Sequence, residues 1–442
     1  MKEIMQDKPA SDLLVRAKAF AFKPFGVFSL AFIWALMAGF VLQWMVLPAL
    51  PELHAGNGLL KGGDWVRFHR EAAELAALMQ HQGWRVWELR PLGNAPIGIT
   101  AAVYSLTGIF EPWVTLPVNA AMFGLAAVCL YTIFKALAPD RLAFVAIFPF
   151  VLFPSATLIY GQIQKDVFSI AGTFLIALVW VRFAERAEMD WRKLVARGAS
   201  VAVGCLLVWT VRPYLMQSLI AMSLLVIALL AVTAGRGRGR LWWTGLLLCM
   251  LVQVGYTSLF SASSEPTVPA LPSTSAASLQ GSYLERMVAK LNAARVGFAD
   301  GYPNAGSNID TEVRFNSPAR VAPYVPRALQ VGLLAPFPSM WLGDGVSPGG
   351  GVMRFISGME MAVTYVLLVG VLVFLYRFKG NRPTLFTVVL IALVLTLLLA
   401  LVVSNVGTLY RMRYGSWQIL NGLGILGWCV LWRQSRTTRD CQ

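Results

Sequence analysis

A handful of charged side chains stand where charge is least expected. Lys165 and Asp166 adjoin in YGQIQKDVFS, Arg212 interrupts WTVRPYLM, and Arg411 and Arg413 lie two apart in NVGTLYRMRYGSW. Each falls between long apolar runs, where a charge is costly and marks a candidate for function. A guanidinium offers a planar fork of donors that matches phosphate oxygens, and an ammonium adds a compact point charge. Four cations at such turns, with Tyr214 beside Arg212, therefore suit a phosphate or pyrophosphate. The acid of interest is Asp64, in KGGDWVRFH. A carboxylate there can act as a general base that removes a proton from an acceptor hydroxyl. Glu111 and Glu360 also fall close to the ends of apolar runs.

Each residue has a structural account as well. Arg212 before Pro213 suits an interfacial anchor that snorkels. Lys165–Asp166 suits a local ion pair at a helix start, and Arg411 with Arg413 suits ordinary juxtamembrane charge. Asp64 suits an N-cap whose carboxylate accepts a backbone N–H. Its helix would be amphipathic and interfacial, with Trp65, Phe68, Ala72, Leu75 and Leu78–Met79 as the apolar positions.

The elements that position these groups follow from composition. Of 442 residues, 57% are hydrophobic and 13% charged, about half the charge of an ordinary soluble chain. With a mean hydropathy of +0.63, this chain is an all-α polytopic membrane protein. A disordered chain, a disulfide scaffold and a transmembrane β-barrel are excluded. Runs of about 20 apolar residues recur, each long enough to span a bilayer. The net charge of +15 does not point to nucleic acid. Its blocks, such as Arg236, Arg238 and Arg240, sit between apolar runs in the positive-inside manner.

Holding every basic block in the cytoplasm gives about ten transmembrane helices. They fall at about 25–50, 113–136, 142–160, 167–183, 197–212, 214–234, 241–260, 356–376, 384–404 and 415–432, with both termini cytoplasmic. Pro96–Phe110 is then a re-entrant or interfacial helix, because a crossing there would put the basic segment 182–197 outside. The map leaves net charges of +13 inside and +2 outside. It divides the chain into a cytoplasmic N-terminus (1–24), an N-terminal transmembrane module (25–260) with a first periplasmic loop at 51–112, a large periplasmic loop (261–355), a C-terminal transmembrane module (356–432) and a cytoplasmic tail (433–442). In the large loop, YLERMVAKLNAARVGF reads as a short helix and the rest as loop. Asp64, Lys165, Arg212, Arg411 and Arg413 all reach the periplasmic face.

Cysteine and histidine add no chemistry. Cys129, Cys205, Cys249 and Cys429 fall in spans, Cys441 in the tail, and the three histidines have no cysteine nearby. No cofactor is fixed by these residues, and a divalent metal stays an open alternative. The N-terminus is too polar for a cleaved signal peptide, so the first span stays in place.

An Asp after the first span, an amphipathic juxtamembrane helix and the proline-led apolar segment 91–110 resemble integral-membrane glycosyltransferases of the C-type fold, including protein O-mannosyltransferases and lipid A aminoarabinose transferases. FPSATLIYGQIQKDVFS, LLAPFPSMW and NVGTLYRMRY look like segments of bacterial exopolysaccharide and O-antigen assembly proteins. The resemblance implies a polyprenyl-phosphate-linked sugar donor, a glycan or lipid acceptor, inversion at the anomeric carbon, and Asp64 as base at the periplasmic face of the bacterial inner membrane. These families often pair two acids, whereas Asp64 stands between Gly63 and Trp65, which argues against a divalent metal. Two other readings stay open: an O-antigen-type polymerase that uses arginines without a carboxylate base, and a lipid-linked sugar flippase or transporter.

Overall fold

Long apolar stretches leave the backbone no solvent to bond with, so each satisfies its own amides and carbonyls as a helix. The computed structural model describes residues 21–185, 188–233, 238–261, 282–301, 303, 305–343 and 350–439. Most of the N-terminal segment, the Pro/Ser/Thr-rich start of the large loop and the end of the tail lie outside the described residues. Within them the regular structure is helical apart from one two-stranded hairpin and a single bridge between Asn308 and Asn405, and eight helices are long and apolar enough to cross a membrane. It is a polytopic all-α membrane protein.

Helix α1 (Pro24–Val41) begins on a proline and widens into a π-turn at Leu42–Val46. There Gln43 is buried while Trp44 and Met45 face outward. A short hairpin follows, β1 (His54–Gly56) against β2 (Leu59–Leu60). Next come α2 (Asp64–Gln82) and α3 (Ala95–Thr107). Thirteen residues make α3 about 20 Å long, short of the hydrocarbon thickness of about 30 Å. It packs on α2 through Phe68, Ala72, Met79, Ile97, Ala101 and Tyr104. The buried face of α2 is Trp65, Phe68, Ala72, Ala76 and Met79, while Leu78 is 48% exposed. This corrects the expected stripe: adjacent residues lie about 100° apart on a helix, so Leu78 cannot share the face of Met79.

After α4 (Leu116–Lys135), the stretch expected as one span at 142–160 is three short helices: α5 (Asp140–Ala146), α6 (Phe148–Leu152) and α7 (Ala156–Tyr160). Pro149 and Pro154 supply the breaks, since neither can donate a helical hydrogen bond. The stretch still runs alongside α1 in the same direction. Phe22 meets Phe144, Trp34 Nε1 donates to the Val151 carbonyl, and Gln43 Nε2 donates to the Gly161 carbonyl. Side chains from elsewhere recapture the freed backbone groups. The Tyr414 hydroxyl bonds the Phe150 carbonyl, and Glu360 accepts the Ser155 amide.

Helix α8 (Asp166–Ala184) is the most enclosed of the eight. It is followed by α9 (Trp191–Val211), capped by Asp190, then α10 (Leu215–Thr233) and α11 (Arg240–Ser261). In the large polar segment, α12 (Tyr283–Gly301) matches the expected helix. A second helix, α13 (Pro318–Leu334), forms where only loop is expected, although Pro323 and Pro326 lie inside it. Burial of Ala328, Val331 and Gly332, with Gly332 against Thr396 and Ala400, overrides that proline cost. The chain ends with α14 (Gly350–Arg377), α15 (Arg382–Val402), the short α16 (Val406–Met412) and α17 (Tyr414–Arg439). Helices α14 and α17 approach closely because Gly370, Gly424 and Gly427 carry no side chain at the contact.

Candidate functional site

The turn between α7 and α8 is held by uncharged polar side chains. Gln162 Oε1 accepts from the Leu60 amide at 3.1 Å, and Gln162 Nε2 donates to the Gly161 and Gly58 carbonyls. Asn119 Nδ2 donates to the Tyr160 and Gln162 carbonyls at 3.1 and 3.0 Å. The turn is thereby fixed to the hairpin, to α1 and to α4. It delivers Lys165 just before α8 and Asp166 as the first residue of that helix.

Asp166 is the centre of the site. Its residue is 1% exposed. Arg212, at the C-terminal end of α9, donates from Nη2 to Asp166 Oδ1 at 2.7 Å. Arg411, in α16, brings Nε to 3.5 Å from Asp166 Oδ2. The Arg411 side chain is 30% exposed and that of Arg212 only 4%. Three buried atoms here have no hydrogen-bond partner: Asp166 Oδ2, Arg212 Nε and Arg411 Nε.

Lys165 joins from the other side. Its Nζ donates to Asn94 Oδ1 at 2.6 Å and lies over the Phe68 ring. Burial, and then the field of Arg212, push the ammonium down to about 8, against the smaller opposing pull of Asp64. Asn94 belongs to a strap, residues 84–94, that runs from the end of α2 to the site. Arg90 of the strap stacks over Trp209 of α9, and Trp87 Nε1 donates to the Gly98 carbonyl. Gly98 is required there, because a Cβ would land on the Glu88 and Leu89 carbonyls. The sequence gives little sign of Arg90 and Asn94. The one available signal is that they flank a Pro–Leu–Gly turn.

The expected residues separate on inspection. Asp64 is exposed at the first position of α2. Gly63 is the N-cap, and no side-chain cap bond forms, which corrects the capping account. Asp64 stands close enough to Lys165 and Arg212 for its charge to act on both. Tyr214, two residues past Arg212, is 52% exposed. Arg413 is wholly buried away from solvent. Its guanidinium bonds the carbonyls of Val331, Gly332 and Ala335 and lies over the Tyr410 and Trp417 rings. Two residues on from Arg411, it faces elsewhere and closes the C-terminal end of α13. Among the described residues no three His, Cys, Asp or Glu side chains come together as a metal site.

The fold defines the class of protein as a polytopic helical membrane protein with a cation-lined site at one end of its bundle. No family model matches the chain, and no curated protein matches it. Among solved structures it is similar to the archaeal oligosaccharyltransferase AglB from Archaeoglobus fulgidus, solved in complex with an inhibitory peptide and a dolichol-phosphate. The TM-score is 0.49 and the identity 13%, over 94% of this chain and 51% of that one. The chain thus spans about half the length of that protein.

Proposed function

We propose that the protein is a membrane glycosyltransferase that moves a sugar from a polyprenyl-phosphate-linked donor to a glycan or lipid acceptor, at the periplasmic face of the bacterial inner membrane, in cell-surface polysaccharide assembly. The observation that carries this reading is the convergence of Arg212 and Arg411 on Asp166, with Lys165 in the field of Arg212 and Asp64 close enough for its charge to act on both. Three cations against the two carboxylates Asp166 and Asp64 leave a net positive charge for an anionic ligand. Lys165 and Arg411 are the accessible contacts to the phosphate, and Arg212 is the enclosed counter-charge behind them. In the transfer, Asp64 takes the proton of an acceptor hydroxyl. The acceptor oxygen bonds to the anomeric carbon with inversion, the carbon–oxygen bond to the phosphate breaks, and the electron pair leaves on the polyprenyl phosphate. Lys165 and Arg411 stabilise that developing charge.

An arginine-only polymerase is the second reading. It is favoured by the exposure of Asp64 and by the absence, among the described residues, of a hydrogen bond or ion pair to its side chain.

Turnover of Asp64→Asn and Asp64→Ala, per folded molecule in detergent with lipid-linked donor, tests the reading. Because Asp64 makes no cap bond, both variants keep the wild-type fold. Loss of a general base lowers the rate by roughly 10² to 10⁴ in each. Wild-type turnover by the Asn variant would remove Asp64 from the chemistry and put the arginine-only reading first.

A further inference from the structure

We infer that Glu360 and Tyr410 form a brace that aims Arg411, making both of them positioning residues for the anionic ligand; this rests on the phosphate-binding reading above. Arg411 is carried by α16, seven residues long, and a helix of that length has too few internal bonds to hold its own orientation. Both ends are tied down. At the start, Asn405 accepts from the Thr408 amide at 2.9 Å and donates to Ser307 Oγ and Asn308 Oδ1 at 3.0 Å each. Just past the end, Arg413 is locked into the carbonyls that close α13.

Between these ties sits the brace. The Tyr410 hydroxyl donates to Glu360 Oε2, and Glu360 also accepts the Ser155 amide and hydroxyl at 2.7 Å each. Three separate elements meet at this one carboxylate: α14 through Glu360, the break between α6 and α7 through Ser155, and α16 through Tyr410. Glu360 is 4% exposed, so its bonds face little competition from water. Successive residues on a helix point about 100° apart, so holding Tyr410 on Glu360 fixes the direction in which Arg411 leaves α16. Arg411 needs this help, since its own hold on Asp166 is a 3.5 Å contact with Nε unbonded. Tyr410 also packs against the Trp417 ring, with centroids 5.6 Å apart. Removing only its hydroxyl therefore leaves the packing in place.

Phenylglyoxal, which modifies exposed guanidinium groups, reads the brace without any donor. Peptide mass spectrometry of the full-length protein in detergent gives the modification rate at Arg411, with Arg295 and Arg327 as internal references. Tyr410→Phe and Glu360→Gln are expected to raise the Arg411 rate several-fold and leave the references unchanged. Affinity for farnesyl phosphate should fall by about tenfold, the worth of one charge-assisted hydrogen bond. An unchanged Arg411 rate in both variants, at unchanged melting temperature, would overturn the brace. Arg411→Lys is a separate control. Wild-type farnesyl phosphate binding by that variant would sink the phosphate reading, while the modification rates still judge the brace.

Discussion

Arg212 Nη2 lies 2.7 Å from Asp166 Oδ1, and both side chains are almost wholly enclosed. This pair fastens the C-terminal end of α9 to the N-terminal residue of α8, two positions 46 residues apart in sequence. A carboxylate at a helix N-terminus is also favoured by the helix dipole. Arg212 and the start of α8 therefore meet at one carboxylate, whose other oxygen lies 3.5 Å from Arg411 Nε.

The first prediction concerns this pair. Breaking a buried ion pair leaves an uncompensated charge and costs about 3–5 kcal/mol. Asp166→Asn or Arg212→Met alone should therefore lower the melting temperature and yield of the purified protein markedly. The double variant Asp166→Leu/Arg212→Met should recover much of that loss, because an apolar pair of similar volume has no charge to desolvate. A double variant no more stable than either single one would mean that the pair is not an isolated unit.

Lys165 gives a pH dependence with a definite sign. Its ammonium is held down to about 8 from an ordinary 10.5, by burial and then by Arg212. It is cationic below that point and neutral above it, so prenyl phosphate binding should weaken roughly tenfold between about pH 7 and 9. Stability moves the other way. Between pH 8 and 10.5 the unfolded chain still holds a proton that the folded protein has released, so stability rises with pH in that window. Lys165→Arg, charged throughout, should bind with a flat profile. A wild-type profile in the Arg variant would assign the titration to another group.

Gly98 tests the strap. Gly98→Ala pushes a methyl into the Glu88 and Leu89 carbonyls, and overpacking of this kind costs about 1–3 kcal/mol. The displaced strap carries Asn94 away from Lys165, so prenyl phosphate affinity should fall together with stability. Gly255→Ala is the matched control, because nothing lies within 4 Å of the Cβ it would add. It should match wild type in both measurements. Equal behaviour of the two variants in calorimetry and binding would show that the strap yields freely.

How much of this was legible in the sequence depends on the range of the interaction. Span-length apolar runs are a local property, and most helices in the expected places follow from them. The prominence of Lys165, Asp166, Arg212 and Arg411 was legible too, because a charge beside an apolar run is conspicuous without knowledge of its neighbours. The sequence could not choose among their partners. It offered Lys165–Asp166 as a local pair, whereas Asp166 bonds Arg212 and Lys165 turns to Asn94. It treated Arg411 and Arg413 alike, although a helix turns about 200° over two residues. One therefore faces Asp166 and the other the end of α13. Local pattern also placed a single helix at 142–160 and loop at 318–334. Tertiary packing decided both: Tyr414 and Glu360 satisfy the broken backbone of the first, and burial against α15 sustains the second despite its prolines. Periodicity and charge are written along the chain, but the direction of a side chain and the identity of its partner depend on helices distant in sequence, and only their packing fixes them.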